Sequence, residues 1–203
     1  MHNEVTGSGD FSSAALIKSA DFNEKIGMEG HYVAKCYDKD GNLKWEDVIE
    51  NQVVQVGKIL MLDTLISGSA YTVTGPYMGL LNGTLTFLPT NTMGTKAWTE
   101  CGGSTAPAYS GNRPVPSFSG ATGNNNVTPG SNVATKTVSA AVSFTFTSSG
   151  TVSGCFIVLG PGAVSTKGDT NGILYSAGAF TGGNKSVADT DQLNVTYSTT
   201  ATS

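Results

Sequence analysis

The chain has 203 residues, enough for one full core, and only 13% of them are charged, about half the roughly 25% usual in soluble domains. Its net charge of −4 and its single arginine, Arg113, leave no basic stripe to neutralise phosphates, which argues against nucleic-acid binding. The place of the missing charge is taken by 26 glycines and abundant Ser, Thr and Asn, a composition of strands and turns. No apolar run approaches the ~18 residues that span a bilayer, so no membrane partner is expected. Three cysteines far apart, Cys36, Cys101 and Cys155, without a C-x-x-C, fit neither a disulfide framework nor a zinc knuckle and read as buried thiols made in a reducing cytoplasm. No charged n-region followed by an apolar h-region opens the chain, so no secretory signal is expected.

Residues 1–29 lack sustained periodicity and carry two apolar islands, Phe11 and Ala14–Ile17. They read as an arm, either frayed or ordered on a neighbouring subunit. Residues 30–203 read as one domain. In "HYVAKCY" aromatic and β-branched residues alternate with polar ones, the pattern of a half-buried strand, and "NLKWED" resumes beyond a turn. The period then changes. Val53, Val56, Ile59, Leu60, Leu62, Leu65 and Ile66 predict a helix over residues 52–67, with Asn51 as N-cap and Gly68 as C′ stop. Gly57 within it suggests close approach to a sheet.

"GPYMGLLNG" reads as a short apolar strand, "NTMGTKAWTEC" as holding one helical turn, and 102–130 as mostly loop with a short strand near "VPSFSG". In "TVSAAVSFTF" the alternation places Val138, Ala140, Val142, Phe144 and Phe146 on one face. "TVSGCFIVLG" is a more buried strand, followed by "ILYSAGAF" and by "QLNVTYST" with Leu193, Val195 and Tyr197 inward. Strands at this spacing predict a mainly β fold, an antiparallel sandwich or barrel, with one helix.

Chemistry leaves little trace. A Ser–His–Asp relay could use only His31, since His2 lies in the arm, and no G-x-S-x-G elbow is present. Cys36 lies near His31 in the same strand, whereas Cys155 sits in an apolar run. The carboxylate pairs Glu46–Asp47 and Asp189–Asp191 look exposed, and Glu100 follows Trp98. "GSG" at Ser8 and "GGNK" at Lys185 do not have P-loop spacing. Counting a calcium loop from Asp38 puts Asp40 and Asn42 at oxygen positions, but glycine comes two places early, at Gly41, and Ile49 stands where a bidentate Glu belongs. "KGDTNG" (Asp169, Asn171, Gly172) is a thinner match. Both segments read as turns. No catalytic, cofactor-binding or metal residue is assigned; a hydrolase built on His31 and carboxylates is the weakest of the readings.

The order of "VAKCYDKDGNLKWEDVIENQVVQVGKILMLDTLISG", "YMGLL", "AWTE", "RPVPSF", "SGTVSGCFIV", "GILYSAGAF" and "DQLNVTYS" resembles structural proteins of tailed-bacteriophage virions, over roughly residues 30–200. In that group a hairpin and one helix precede a β-sandwich. The resemblance implies a non-enzymatic capsid cement or decoration protein on the virion surface, built as a jelly-roll-like sandwich. Its implied partners are the major capsid protein and itself, as a homodimer or homotrimer, with no cofactor. Residues 1–29 and 102–130 would make the contacts. The alternative is a tail, neck or fibre component or a glycan-binding adhesin, with Tyr71, Trp98 and Tyr109 available to stack on sugars.

Overall fold

The computed structural model describes residues 27–66, 73–83, 85–124 and 132–202. Its organising element is the hairpin of β1 (Gly27–Tyr37) and β2 (Leu43–Val53), paired Tyr32 to Ile49 and Cys36 to Trp45. Alternation works as the sequence predicts: Tyr32, Ala34 and Cys36 are fully buried while His31 is exposed. The turn is made by Asp38, whose Oδ1 accepts from the backbone N–H of Asp40 and of Asn42, both at 2.9 Å. Gly41 closes it at φ +83°, a conformation that an L side chain rarely adopts. β1 begins three residues inside the segment read as the arm; the rest of that segment, residues 1–26, lies outside the described residues.

β12 (Gln192–Thr202) pairs with β1 along its whole length, from Gly27–Thr202 to Tyr37–Gln192. Two short strands share the far edge of β12. β7 (Val142–Thr145) takes residues 192–195 and β6 (Val133–Thr137) takes 198–202, with β5 (Thr122–Gly123) beyond β6. On the other side, the end of β2 pairs with β10 (Ile173–Ala179). The sheet then continues through β9 (Gly154–Leu159), β3 (Tyr77–Asn82) and β4 (Thr99–Glu100). β8 (Gly150–Val152) and β11 (Lys185–Val187) form a separate ribbon. Every strand pair among the described residues is antiparallel, and the fold is mainly β with one helix.

The sheet curls on itself. The Tyr175 hydroxyl on β10 meets Thr199 Oγ1 on β12 at 3.2 Å, although β2 and β1 stand between those strands in the sheet. Tyr32 on β1 likewise reaches Ser176 on β10 at 2.6 Å. One apolar core, drawing on β1, β2, β3, β7, β9, β10 and β12, fills the concave side, so the two halves of the sheet face each other across it. β9 is buried on both faces, which explains its unbroken apolar run. Cys155 and Ile157 enter the concave core, whereas Phe156 and Val158 meet a second cluster with Met93 and Trp98. The segment around Met93 is a turn rather than a helical one, with Thr95 N–H donating to Thr92 O at 3.3 Å.

Expectations about the helix and about the strand before β7 need correction. The helix α1 spans Gln55–Ile66, not 52–67. Asn51 does not cap it, because residues 51–53 still belong to β2: Asn51 pairs with Gly30 and Val53 with Ser176. Val54 supplies the first helical acceptor, to Lys58 N–H at 3.1 Å. Gly68 lies outside the described residues. Second, the run 137–146 is not one strand: a bend at Ser139–Ala140 separates β6 from β7, and Ala140 is exposed while Val138, Val142, Phe144 and Phe146 are buried. "VPSFSG" contributes only an isolated bridge, Phe118 to Val138.

The helix does approach the sheet closely at Gly57, as expected. α1 packs on β10 through Gly57 and Leu60, and a Cβ at Gly57 would lie 2.7 Å from the Tyr175 carbonyl oxygen, which accounts for the glycine. The remaining apolar stripe is largely uncovered. Ile59 is 49% exposed, Leu62 53%, and Leu65 and Ile66 76% each.

Candidate functional site

Strand register brings His31 into a row with two residues that could serve it. Glu50 is its neighbour on β2 and Ser198 its neighbour on β12. His31 and Glu50 are exposed, and no side-chain hydrogen bond joins the three, so no buried acid orients the imidazole and no base contacts the hydroxyl. Cys36 faces the opposite side of β1 from His31.

The two loops weighed for calcium are turns held by their own carboxylates. Asp38 also accepts from Asn42 Nδ2 at 3.0 Å, and these hydrogen bonds, the Asn42 side chain first, hold its pKa below the ordinary value. Asp169 accepts from Asn171 N–H at 2.6 Å, and Gly172 follows at φ +87°. Among the described residues no group of three or more His, Cys, Asp or Glu side chains is placed to share a metal. Ser8 lies outside those residues, and Lys185 is engaged with Asp47 at 2.6 Å.

Buried charge is where the structure departs most from the sequence reading. Arg113 is 2% exposed and Glu100 5%. Arg113 Nε donates to Glu100 Oε1 at 2.8 Å and Nη2 to Oε2 at 2.7 Å, a bidentate fork. The same guanidinium donates to the carbonyls of Val164 (3.1 Å) and Asp169 (2.7 Å), and Gly168 N–H donates to Glu100 Oε2 at 2.8 Å. One ion pair thus ties the loop after β4 to the loop between β9 and β10. Lys167 reinforces the junction: its Nζ donates to Tyr109 O at 2.6 Å and stands 4.2 Å from the Tyr109 ring centroid.

Asp191 is not exposed, as the sequence suggested, but 3% exposed; it accepts from Ala188 N–H at 2.7 Å and pairs with Lys44. Asp47 is held similarly. Burial works against its charge, but Lys185 and the N–H groups of Val48 and Gly182 outweigh that and keep its pKa low. Glu46 pairs with Lys35 at 3.2 Å on the surface. Each carboxylate weighed for catalysis in these pairs except Asp189 is therefore spent on a neighbouring cation. The aromatic candidates for sugar stacking fare no better: Trp98 is 6% exposed, Tyr109 3%, and Tyr71 lies outside the described residues.

The three cysteines are free and buried. Burial pushes Cys36 and Cys101 from 9.0 up to about 12, with the carboxylates of Asp191 and Glu100 adding to it, and pushes Cys155 higher still. A folded-state pKa above the unfolded value gives stability that is complete below the unfolded pKa and is lost as pH rises through the folded one. Urea midpoints are therefore expected to fall steadily above about pH 9. In native protein at pH 8 a thiol reagent should find no reactive cysteine, and rapid labelling of the folded chain would contradict this.

What the surface does offer is apolar. Beside the exposed face of α1 a groove of about 540 Å³ is lined by Leu60, Met61, Leu65, Leu159 and Tyr175, with Lys136 and others at its edge. The sequence signal was present, since the helix lacks a polar face, but periodicity does not say which neighbours cover it. Compared with protein-family models, with curated proteins and with solved structures, the chain matches none of them.

Proposed function

We propose that the chain is a non-enzymatic structural component of a tailed-phage virion, a cement or decoration protein that binds the major capsid protein and reinforces the shell. The observation that carries the structural half of this reading is the use of buried charge. Arg113–Glu100 and Lys44–Asp191 clamp loops to the sheet, Lys185–Asp47 ties the β8–β11 ribbon to β2, and among the described residues no three His, Cys, Asp or Glu side chains are placed to share a metal. The virion half rests on the sequence resemblance, whose segments fall in order on the β1–β2 hairpin and α1, then β3, β4, β9, β10 and β12.

Reinforcement of this kind works through buried area. A specific contact covers about 1,200–2,000 Å² in total, and repetition over a shell multiplies it. Low surface charge suits such contacts, because few ions need desolvation. Because β1 starts at Gly27, a chain beginning there keeps every described strand while removing the apolar islands of residues 1–26. Its occupancy on purified capsids is expected to fall at least tenfold, a loss of about 1.4 kcal/mol per site, with thermal unfolding unchanged. Full occupancy would remove the arm from the account, and failure of the intact chain to bind capsids would overturn the reading itself.

A further inference from the structure

We infer that α1 is a self-association face, through which two copies of the chain pair their helices in parallel. At 3.6 residues per turn, Ile59, Leu62 and Ile66 fall within an arc of about 60°. That arc lies opposite Gly57 and Leu60, the residues packed on the sheet. Their spacing of three and then four residues is a coiled-coil seam, with Ile at both a positions and Leu at d, the combination that favours two strands. The seam is open to a partner, since its three side chains are 49–76% exposed. A helix apolar on both faces is stable only where both are covered.

The charges flanking the seam decide the occupant and its direction. With Ile59 at a, Lys58 occupies g and Asp63 the following e. Both are exposed, and among the described residues neither has an ion-pair partner. In a parallel pair g faces the e five residues further along the partner, so each Lys58 meets the other copy's Asp63. An antiparallel pair would instead oppose Lys58 to Lys58 and Asp63 to Asp63. The helix is thus self-complementary in one orientation only. A two-fold axis along the seam satisfies both ion pairs at once and leaves the two sheets on the outer sides. The exposed Leu88 can extend the patch at the helix N-terminus, because Pro89 O accepts from Gln55 N–H at 2.8 Å.

The inference gives a surface to the self-association that the virion reading implies, but its test uses the chain alone and can fail while capsid binding stands. It is tested by sedimentation equilibrium of the full chain, up to the highest soluble concentration. Wild type is expected to show a monomer–dimer equilibrium. Leu62→Glu, at a solvent-exposed position, should keep its unfolding curve and weaken association by at least about 30-fold. Lys58→Asp and Asp63→Lys should each weaken it about fivefold, and the double swap should restore it. A wild-type chain that stays monomeric throughout assigns the stripe to some other occupant and overturns the inference. So does association indifferent to Leu62→Glu. Association lost in Leu62→Glu but unaffected by either single charge reversal overturns the parallel arrangement.

Discussion

Replacing Arg113 with alanine is expected to destabilise the fold by about 3–5 kcal/mol, the range for removing one partner of a buried ion pair. For a chain of this size that corresponds to a drop in Tm on the order of 10 °C or more. The cause is what remains. Glu100 would keep its burial and the single N–H of Gly168 while losing both guanidinium hydrogen bonds. Val164 O and Asp169 O would also lose their donor, at about 1–3 kcal/mol for each group left unsatisfied.

Arg113→Lys keeps the charge but not the fork, and should fall between alanine and wild type. The paired change Glu100→Leu with Arg113→Met removes both charges. It should recover much of the loss but not all of it, because the two loop carbonyls stay unpartnered. Urea titration measures all three, and a loss below about 1 kcal/mol for Arg113→Ala would show that this junction does not hold the loops.

Gly57→Ala is expected to destabilise by about 1–3 kcal/mol, although alanine is the better helix former by about 1 kcal/mol. The added Cβ would meet the Tyr175 carbonyl oxygen at 2.7 Å and the Tyr175 Cα at 3.0 Å, and these are backbone atoms of β10 that cannot rotate away. The helix must lift from the sheet, and Leu60, its other buried anchor, must lift with it. Gly57→Val should cost more still. A stabilised Gly57→Ala, read from the same urea titration, would mean that α1 is free to shift and that its seating on β10 does not matter.

The strands were largely legible in the sequence, because period-two alternation acts locally: β1, β3, β9, β10 and β12 lie where aromatic and β-branched runs put them. What was not legible depends on partners distant in sequence. Asn51 has the chemistry of an N-cap, yet the pairing of residues 51–53 with β1 and β10 overrides it. β11 is a three-residue strand that exists only because β8 stands beside it. Ala140 fits an alternating run, but the edge of β12 breaks that run in two.

The charge pairs follow the same logic. Asp191 looks exposed in a polar loop, and Lys44, which buries it, is 147 positions away in the chain. The lone arginine was a signal of a kind, since a guanidinium in a Pro-rich segment of a low-charge chain needs a reason to be there. Its partner could not be chosen from sequence among fifteen carboxylates.

The proposed role is tested most directly by a density map of the intact virion whose genome encodes the chain, at a resolution that shows strands. The account predicts the curled sheet on the outer capsid surface, repeated with icosahedral symmetry and in contact with the major capsid protein. Density confined to the tail or neck, or a capsid surface without this sheet, would contradict it.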